Sequence, residues 1–210
     1  MKKAYEDIVK HYEDCLEKHG DNHLGVDWPK REDVDARYKV MLDIVKINED
    51  KGNVSLLDFG CGTAHLLGYM KASNMDNIQY SGLDISQKFV DVAKQKYPDN
   101  DFFCVDILDT ESNLPNYDYI VMNGVFTEKR ELSFDEMWEY FTKMIAVVYE
   151  KCNKGFAFNV MSKHVDWERD DLFHVPYDLL GSFLCKNLTR SHVIRNDYGL
   201  FEYTVYVFKK

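Results

Sequence analysis

The sequence has no cysteine pair of the C-x-x-C type, no long run of basic residues and no long uncharged apolar run. Its 5 cysteines are odd in number and widely spaced, which predicts neither a zinc site nor a disulfide framework and indicates reduced thiols in a cytoplasmic protein. No apolar stretch approaches the ~20 residues that span a bilayer. The N-terminus runs directly into charges, unlike a signal peptide. No metal site is predicted.

The charge balance excludes a further class of partner. The formal net charge is −10, from 26 lysines and arginines against 36 aspartates and glutamates, so most of the surface should repel a polyanion. We therefore expect no nucleic acid and no anionic membrane as a partner. The 210 residues, of which 45% are hydrophobic and 14% aromatic, fit one domain with a sizeable core.

The spacing of apolar residues differs between two parts of the chain. Residues 1–50 contain two stretches with helical spacing of apolar residues and predict a helical cap. Residues 51–210 alternate between strand and helix patterns, which is typical of a parallel sheet covered on both faces. We predict helices at 5–18, 33–50, 64–73, 86–97 and 133–151, and strands at 54–59, 78–85, 101–107, 117–122 and 155–161.

The end of the chain differs from this alternation. Residues 191–195 and 201–208 are two strand patterns around a segment with Asn196 and Gly199, which suit a hairpin turn. The predicted fold is therefore α/β, with a Rossmann-like, doubly wound, mostly parallel sheet, a C-terminal antiparallel hairpin and an N-terminal helical cap. We expect a single domain over residues 1–210.

A glycine turn follows the first predicted strand. The segment 54–65 reads VSLLDFGCGTAH, so an apolar run ends in Asp58 and continues into Gly60 and Gly62. This is the pattern of a buried strand that turns sharply into a helix, with bare backbone exposed to a ligand. The next predicted strand carries a partner acid, Asp84, near its end. Two acids at strand ends beside a glycine turn predict a nucleoside site.

Two nucleoside patterns compete at this turn. The dinucleotide pattern G-x-G-x-x-G matches Gly60 and Gly62, but His65 stands at its third glycine. The pattern acid-x-G-x-G-x-G, used for S-adenosylmethionine, matches Asp58 and both glycines, with Ala64 replacing the last glycine. An acid beside the turn would repel the pyrophosphate of a dinucleotide. The same acid favours the sulfonium and ammonium groups of S-adenosylmethionine.

Two further acids fit the rest of this cofactor. Asp84 lies 24 residues after Gly60, which suits a carboxylate that accepts hydrogen bonds from both ribose hydroxyls. Asp106, at the end of the third strand pattern, is placed to accept a hydrogen bond from the adenine amino group. Ile85 and Ile107 each follow one of these acids and are predicted to sandwich the adenine.

Three motifs in order, DFGCGT at 58–63, LDIS at 83–86 and VDI at 105–107, together resemble the class I S-adenosylmethionine-dependent methyltransferases. The resemblance covers residues 54–208 and includes the closing hairpin. The Asn/Asp-Pro-Pro-aromatic sequence of enzymes that methylate adenine or glutamine amides is absent, which argues against those acceptors. The resemblance implies a cofactor site formed by Asp58, Gly60, Cys61, Gly62, Asp84, Ile85, Asp106 and Ile107, with Asn123 on the methyl-transfer face.

The first 50 residues resemble the helical caps of small-molecule methyltransferases. The motif region has no cation for the carboxylate of the cofactor, and Arg37 is predicted to supply one from the cap. Trp28 is predicted to close over the methionine end. The acceptor implied by such a cap is a small molecule methylated on oxygen or nitrogen.

A polar and aromatic cluster follows the fifth predicted strand, with His164, Asp166, Trp167, Arg169 and His174. Loops at the carboxyl ends of parallel strands are where ligands bind in such sheets. We therefore predict acceptor contacts here. His164 and His174 are the candidates for a general base, which a hydroxyl or protonated amine acceptor would need.

Two other functions stay open on the sequence alone. One is a nicotinamide-dependent reductase using NAD or NADP, which Asp58, His65 and the terminal hairpin disfavour. The other is a non-catalytic module that binds S-adenosylmethionine, which nothing in the sequence excludes.

Overall fold

The computed structural model describes residues 5–47, 52–109 and 114–209. One sheet of 8 strands runs through these residues. The strands are β1 Val54–Phe59, β2 Ile78–Asp84, β3 Asp101–Cys104, β4 Tyr117–Met122, β5 Cys152–Ser162, β6 His174–Val175, β7 His192–Arg195 and β8 Glu202–Phe208.

Helices cover the sheet and precede it. A short 3₁₀ helix, His23–Val26, lies between the first two of them. The α-helices are α1 Glu6–His19, α2 Arg31–Ile47, α3 His65–Ala72, α4 Gln87–Lys96, α5 Phe134–Lys151 and α6 Tyr177–Asn187. Among the helices in the described ranges, none is both long and apolar enough to cross a bilayer.

The sheet confirms the predicted fold class. Its strand order is β3-β2-β1-β4-β5-β8-β7, and β1 to β5 run parallel to one another. Strand β8 pairs antiparallel with both β5 and β7, which forms the predicted terminal hairpin. The order reverses direction between β1 and β4, and ligands of such sheets bind outside the carboxyl ends of the strands at this switch point.

The core lies on both faces of the sheet. Helices α1, α5 and α6 contribute to one apolar cluster, which includes Phe141, and helices α2, α3 and α4 contribute to the other, which includes Met41. Along β1, Leu57 belongs to the first cluster and Leu56 to the second, because successive strand residues point to opposite faces. The strands are therefore buried on both sides, and polar groups concentrate at their ends.

Besides the 3₁₀ helix His23–Val26, two elements were not predicted. Helix α6 begins directly after Pro176 and contains Gly181, and its buried residues Leu180 and Leu184 lie one helical turn apart. Strand β6 has 2 residues and pairs with the end of β5. Both lie between the fifth predicted strand and the hairpin.

Candidate active site

A cleft opens at the carboxyl ends of β1, β2 and β4, with α1 lying along it. The space within the cleft, open mouth included, is about 1160 Å³. Of the 11 residues predicted to bind the cofactor, 10 line this cleft. They are Trp28, Asp58, Gly60, Cys61, Gly62, Asp84, Ile85, Asp106, Ile107 and Asn123.

The turn after β1 depends on its glycines. Gly60 has φ 72° and Gly62 has φ 52°, in the left-handed region that favours glycine. A Cβ added to Gly60 would lie 2.7 Å from Cγ2 of Val125, so even alanine would collide there. Ala64 also adopts the left-handed region, with φ 61°, which explains why the related pattern places a glycine at this position.

Asp84 holds this turn from the neighbouring strand. One carboxylate oxygen accepts a hydrogen bond from the Gly62 N–H at 2.9 Å, and the other accepts one from the Ser86 N–H at 2.9 Å. Burial raises the pKa of Asp84 to about 6, although these N–H groups counteract part of the rise. The carboxylate is thus fixed in the cleft with lone pairs left for a ligand.

Asp58 is the second buried acid of the cleft, with 3% of its surface exposed. The Tyr80 hydroxyl donates a hydrogen bond to it at 2.8 Å. Burial raises the pKa of Asp58 to about 7, and the charge of Asp84 adds to the rise, whereas the Tyr80 hydrogen bond lowers it. A cation that enters the cleft would therefore find a carboxyl group that ionises readily in response.

Asp106 connects the cleft to the cap. The hydroxyl of Tyr5, at the start of α1, donates a hydrogen bond to one carboxylate oxygen, and the Leu108 N–H donates to the other at 3.0 Å. Ile107 is buried beside it, and Ile85 presents a partly exposed apolar surface to the cleft. Apolar walls with a carboxylate at the edge suit a flat heterocycle that carries an amino group.

Helix α1 forms a wall of the cleft that was not predicted. Ile8, Val9 and Tyr12 line the cleft together with Tyr5. On the same helix, Glu13 accepts a hydrogen bond from the Ser86 hydroxyl at 2.5 Å. The apolar spacing of α1 is visible in the sequence, but the spacing alone does not distinguish core packing from a ligand wall.

Asn123 lies at the end of β4 and has an unusual environment. Its amide nitrogen and oxygen are both buried, and neither has a hydrogen-bond partner in the described part of the chain. Buried polar groups are normally paired, so an unpaired amide in a cleft indicates a missing ligand. The neighbouring Gly124 has φ 81°, and a Cβ there would lie 3.4 Å from the Trp28 ring.

The structure corrects the role predicted for Arg37, which does not line the cleft. Its Nε donates hydrogen bonds to the two carboxylate oxygens of Glu202 at 3.1 and 3.0 Å. Glu202 is only 3% exposed, and a buried carboxylate needs a cationic partner. The guanidinium also packs over the Trp28 ring, 5.1 Å from its centroid, so Arg37 supports a cleft wall from behind.

The same carboxylate continues a hydrogen-bond chain toward the cleft. The Asn159 amide donates to Glu202 at 2.9 Å, and its oxygen accepts from the Gly124 N–H at 2.7 Å. Arg37, Glu202 and Asn159 thus fix the backbone next to Asn123. This chain of hydrogen bonds joins α2, β8 and β5, which are far apart in the sequence.

The two predicted general bases are also corrected, because neither histidine lines the cleft. His174 is buried, its Nδ1 lies 2.6 Å from the Ser162 carbonyl oxygen, and its Nε2 accepts from the Arg169 N–H at 3.2 Å. Both ring nitrogens are occupied, so His174 is a structural histidine. His164 is exposed and stacks on the Tyr177 ring with centroids 5.0 Å apart.

Known proteins resemble this chain in sequence and in fold. Residues 57–147 match the family model described as a methyltransferase domain. A Mycobacterium tuberculosis protein provisionally named a methyltransferase, Rv1506c, is 29% identical over 161 residues, which cover 74% of this chain and 93% of that protein.

Two solved structures share the fold at low sequence identity. Magnesium protoporphyrin IX methyltransferase from Synechocystis PCC 6803, with bound S-adenosylmethionine, has a TM-score of 0.65 at 14% identity, covering 100% of this chain and 99% of that one. The plantazolicin methyltransferase BpumL, with bound S-adenosylhomocysteine, has a TM-score of 0.62 at 14% identity, covering 97% and 89%. Residues 57–147 thus carry a methyltransferase domain, and the chain has the fold of these two methyltransferases. These neighbours bind the methyl donor S-adenosylmethionine and its demethylated product, respectively.

The electrostatics of the methyltransferase cleft fit this cofactor. Asp58, Asp84 and Asp106 supply carboxylates, and the described residues that line the cleft include no lysine or arginine. Such a lining favours a cationic donor over the pyrophosphate of a dinucleotide. The methyltransferase assignment therefore replaces the reductase alternative.

Proposed function

We propose that this methyltransferase transfers the methyl group of S-adenosylmethionine to an oxygen or nitrogen atom of a small-molecule acceptor. The observation that carries the proposal is the unpaired, buried amide of Asn123 at the end of β4, in a cleft walled by α1. A walled cleft suits a small ligand better than a polymer, and the net charge of −10 disfavours nucleic acid. The two structural neighbours described above are named for small-molecule or natural-product acceptors.

The cofactor roles that we propose follow the order of the strands. Asp58 pairs with the methionine ammonium, Asp84 accepts hydrogen bonds from the ribose hydroxyls, and Asp106 accepts one from the adenine amino group. The adenine ring packs between apolar side chains. The remaining contacts come from the glycine turn and the cap, namely Gly60, Cys61, Gly62, Ile85, Ile107 and Trp28.

Methyl transfer is an in-line displacement in which an acceptor lone pair forms the new bond to the methyl carbon as the bond to sulfur breaks. The sulfonium is already activated, so positioning and exclusion of water supply much of the acceleration. The Asn123 amide oxygen can accept a hydrogen bond from the acceptor and orient its lone pair. His65 also lines the cleft, with its Nε2 2.6 Å from the Asp21 carboxylate, and we assign it no proton transfer.

The proposal is tested by measuring S-adenosylhomocysteine release with panels of amines, phenols, hydroxylated and carboxylated metabolites, RNA and protein. We expect turnover with members of the small-molecule panel only. The variant Asn123→Ala should lower kcat more than it weakens the binding of S-adenosylmethionine. Tight cofactor binding without turnover of any acceptor would instead support the non-catalytic module.

We also propose that the protein is cytoplasmic and that its cap and sheet form one domain. The 5 cysteines are all free thiols, which suits a reducing compartment. Contacts such as that between Tyr5 and Asp106 join the cap directly to the cofactor cleft.

A further inference from the structure

Three side chains with metal-ligating atoms meet on the cap, outside the cofactor cleft. His11 and Cys15 lie one turn apart on α1, and Asp27 follows the 3₁₀ helix His23–Val26. The His11 Nε2 lies 2.8 Å from the Asp27 carboxylate and 3.8 Å from the Cys15 sulfur. One ligand atom from each residue lies within 4.8 Å of the other two.

These distances are close to those that a tetrahedral zinc ion requires. Zinc–nitrogen and zinc–oxygen bonds of about 2.0–2.1 Å and zinc–sulfur bonds of about 2.3 Å place pairs of ligand atoms about 3.3–3.6 Å apart. The observed distance between His11 and Cys15 is already within a few tenths of an ångström of this spacing. The His11 nitrogen and the Asp27 oxygen, 2.8 Å apart, would have to separate by about half an ångström. The Cys15 sulfur and the Asp27 oxygen lie within 4.8 Å of each other. A nitrogen, sulfur and oxygen ligand set also favours zinc over calcium or magnesium, which prefer oxygen ligands.

We propose that His11, Cys15 and Asp27 bind one divalent transition-metal ion, with zinc the best match, and that water is its fourth ligand. On binding, the Cys15 thiol loses its proton to solvent, and the sulfur forms the bond to the metal. With a neutral imidazole and an ionised Asp27, the two negative ligands balance the charge of the ion. The sequence gives little sign of this site because it has no C-x-x-C and its third ligand comes from another element.

The position of the site suggests what the metal would do. His11, Cys15 and Asp27 do not line the cleft. Tyr12 and Trp28, which directly follow His11 and Asp27 in the sequence, do line it. A metal bound here would fasten α1 to the segment that carries Trp28, and thus hold two cleft walls together. The site does not depend on the proposed acceptor, and its test does not require turnover.

The first experiment uses the full chain, stripped with a chelator and titrated with Co²⁺ as a spectroscopic substitute for Zn²⁺. We expect one equivalent to bind, with the visible bands of tetrahedral Co²⁺ and a sulfur-to-cobalt charge-transfer band in the near ultraviolet. Cys15→Ser should abolish the charge-transfer band. His11→Ala and Asp27→Asn should each weaken binding by at least about tenfold, because each removes a ligand.

A thiol-protection experiment provides the matched control. One equivalent of Zn²⁺ should protect Cys15 from alkylation, while the exposed Cys104 and Cys185 stay reactive. Cys185→Ser should bind metal like the unmodified chain, and circular dichroism checks that each variant is folded. Equal metal affinity in Cys15→Ser and Cys185→Ser, or no stoichiometric binding by the unmodified chain, would overturn the proposal.

Discussion

Among single residues, Asp58 couples the cofactor site most directly to pH. Its carboxyl is buried, its pKa is raised to about 7 by that burial, and the nearby Asp84 has a pKa of about 6 for the same reason. In the free protein near pH 6, Asp58 is therefore largely protonated. Pairing with the cofactor ammonium requires the ionised form, so binding must expel a proton.

We expect the affinity for S-adenosylmethionine to rise about fivefold from pH 6 to pH 7 and then to level off. Calorimetric titration in buffers of different ionisation enthalpy would measure the affinity and the released proton. Asp58→Asn should remove the proton release. A pH-independent affinity with no proton released would contradict the proposed pairing.

The Asp58 carboxyl also affects the stability of the free protein. Because the folded-state pKa of Asp58 lies above its unfolded value of about 3.8, the folded state binds the proton more tightly. The free energy of unfolding should therefore fall as pH rises from about 4 to 7, and remain lower above pH 7.

We expect Asp58→Asn, which can still accept the Tyr80 hydrogen bond, to be more stable than the unmodified chain at pH 8 by about 1–4 kcal/mol. Urea unfolding at pH 5 and pH 8 would measure the difference, which should shrink at the lower pH. An Asn variant that is less stable at pH 8 would show that burial does not disfavour the ionised form.

Which site residues were predictable depends on where their partners lie in the chain. Asp58, Asp84 and Asp106 follow from local motifs, because the carboxyl ends of neighbouring parallel strands meet at one edge. Arg37 was misassigned because its partner, Glu202, lies on the last strand and is known only from the fold. His174 was misassigned because β6, which buries it, has too little pattern to be predicted.

At the scale of elements, α1 is a wall of the cofactor cleft that is attached through polar contacts. The Tyr5 hydroxyl bonds to Asp106, and Glu13 bonds to Ser86, so each attachment joins α1 to a residue that lines the cleft. Loss of one attachment should loosen the wall without removing a residue of the glycine turn.

We expect Tyr5→Phe to speed the dissociation of S-adenosylmethionine by about tenfold, because hydrogen bonds to charged groups contribute about 1.5–3 kcal/mol. Stopped-flow displacement would measure the rate. Tyr198→Phe is the matched control, since it removes a hydroxyl hydrogen bond to Thr204, on β8, and Tyr198 does not line the cleft. Equal rates for the two variants would exclude α1 as a retaining wall.

The segment after β4 is held by elements that are distant in sequence. Asn159 on β5 accepts from the Gly124 N–H and donates to Glu202 on β8. We expect Asn159→Ala to lower the free energy of unfolding by about 1–3 kcal/mol, because it leaves a buried N–H unpaired. It should also lower kcat more than it weakens cofactor binding.

Chemical denaturation and steady-state kinetics would check this prediction. Asn187→Ala is the control, because the Asn187 amide donates to a carbonyl oxygen within its own helix, at an exposed position. If Asn159→Ala resembled this control in both measurements, the hydrogen-bond chain would have no positioning role.

The elements themselves were largely predictable where the apolar pattern is strong. The bounds of β1 and β4 are as predicted, because each is a mostly apolar segment bounded by polar residues or glycine. Strand β3 ends at Cys104, earlier than predicted, and the residues after it form the loop that carries Asp106. Helix α6 was missed although Leu180 and Leu184 have helical spacing, because Gly181 interrupts the short apolar segment.

At the scale of the whole molecule, the sheet gathers acids from separate strands at one edge, and the cap closes around them. The lining of this edge carries carboxylates and, among its described residues, no lysine or arginine. We therefore expect a cationic nucleoside to bind at the carboxyl ends of the strands. A dinucleotide, with its negative pyrophosphate, should be rejected at the same place.

The most direct test is calorimetric titration of the purified chain with S-adenosylmethionine and, separately, with NADH. We expect one equivalent of S-adenosylmethionine to bind, NADH not to bind, and the affinity to be at least about tenfold lower in Asp84→Ala, which loses a buried charged hydrogen-bond acceptor. Asp76→Ala, at an exposed position outside the cleft, should bind like the unmodified chain. Binding of NADH but not of S-adenosylmethionine, or full affinity in Asp84→Ala, would show that this cleft is not the site of a cationic nucleoside.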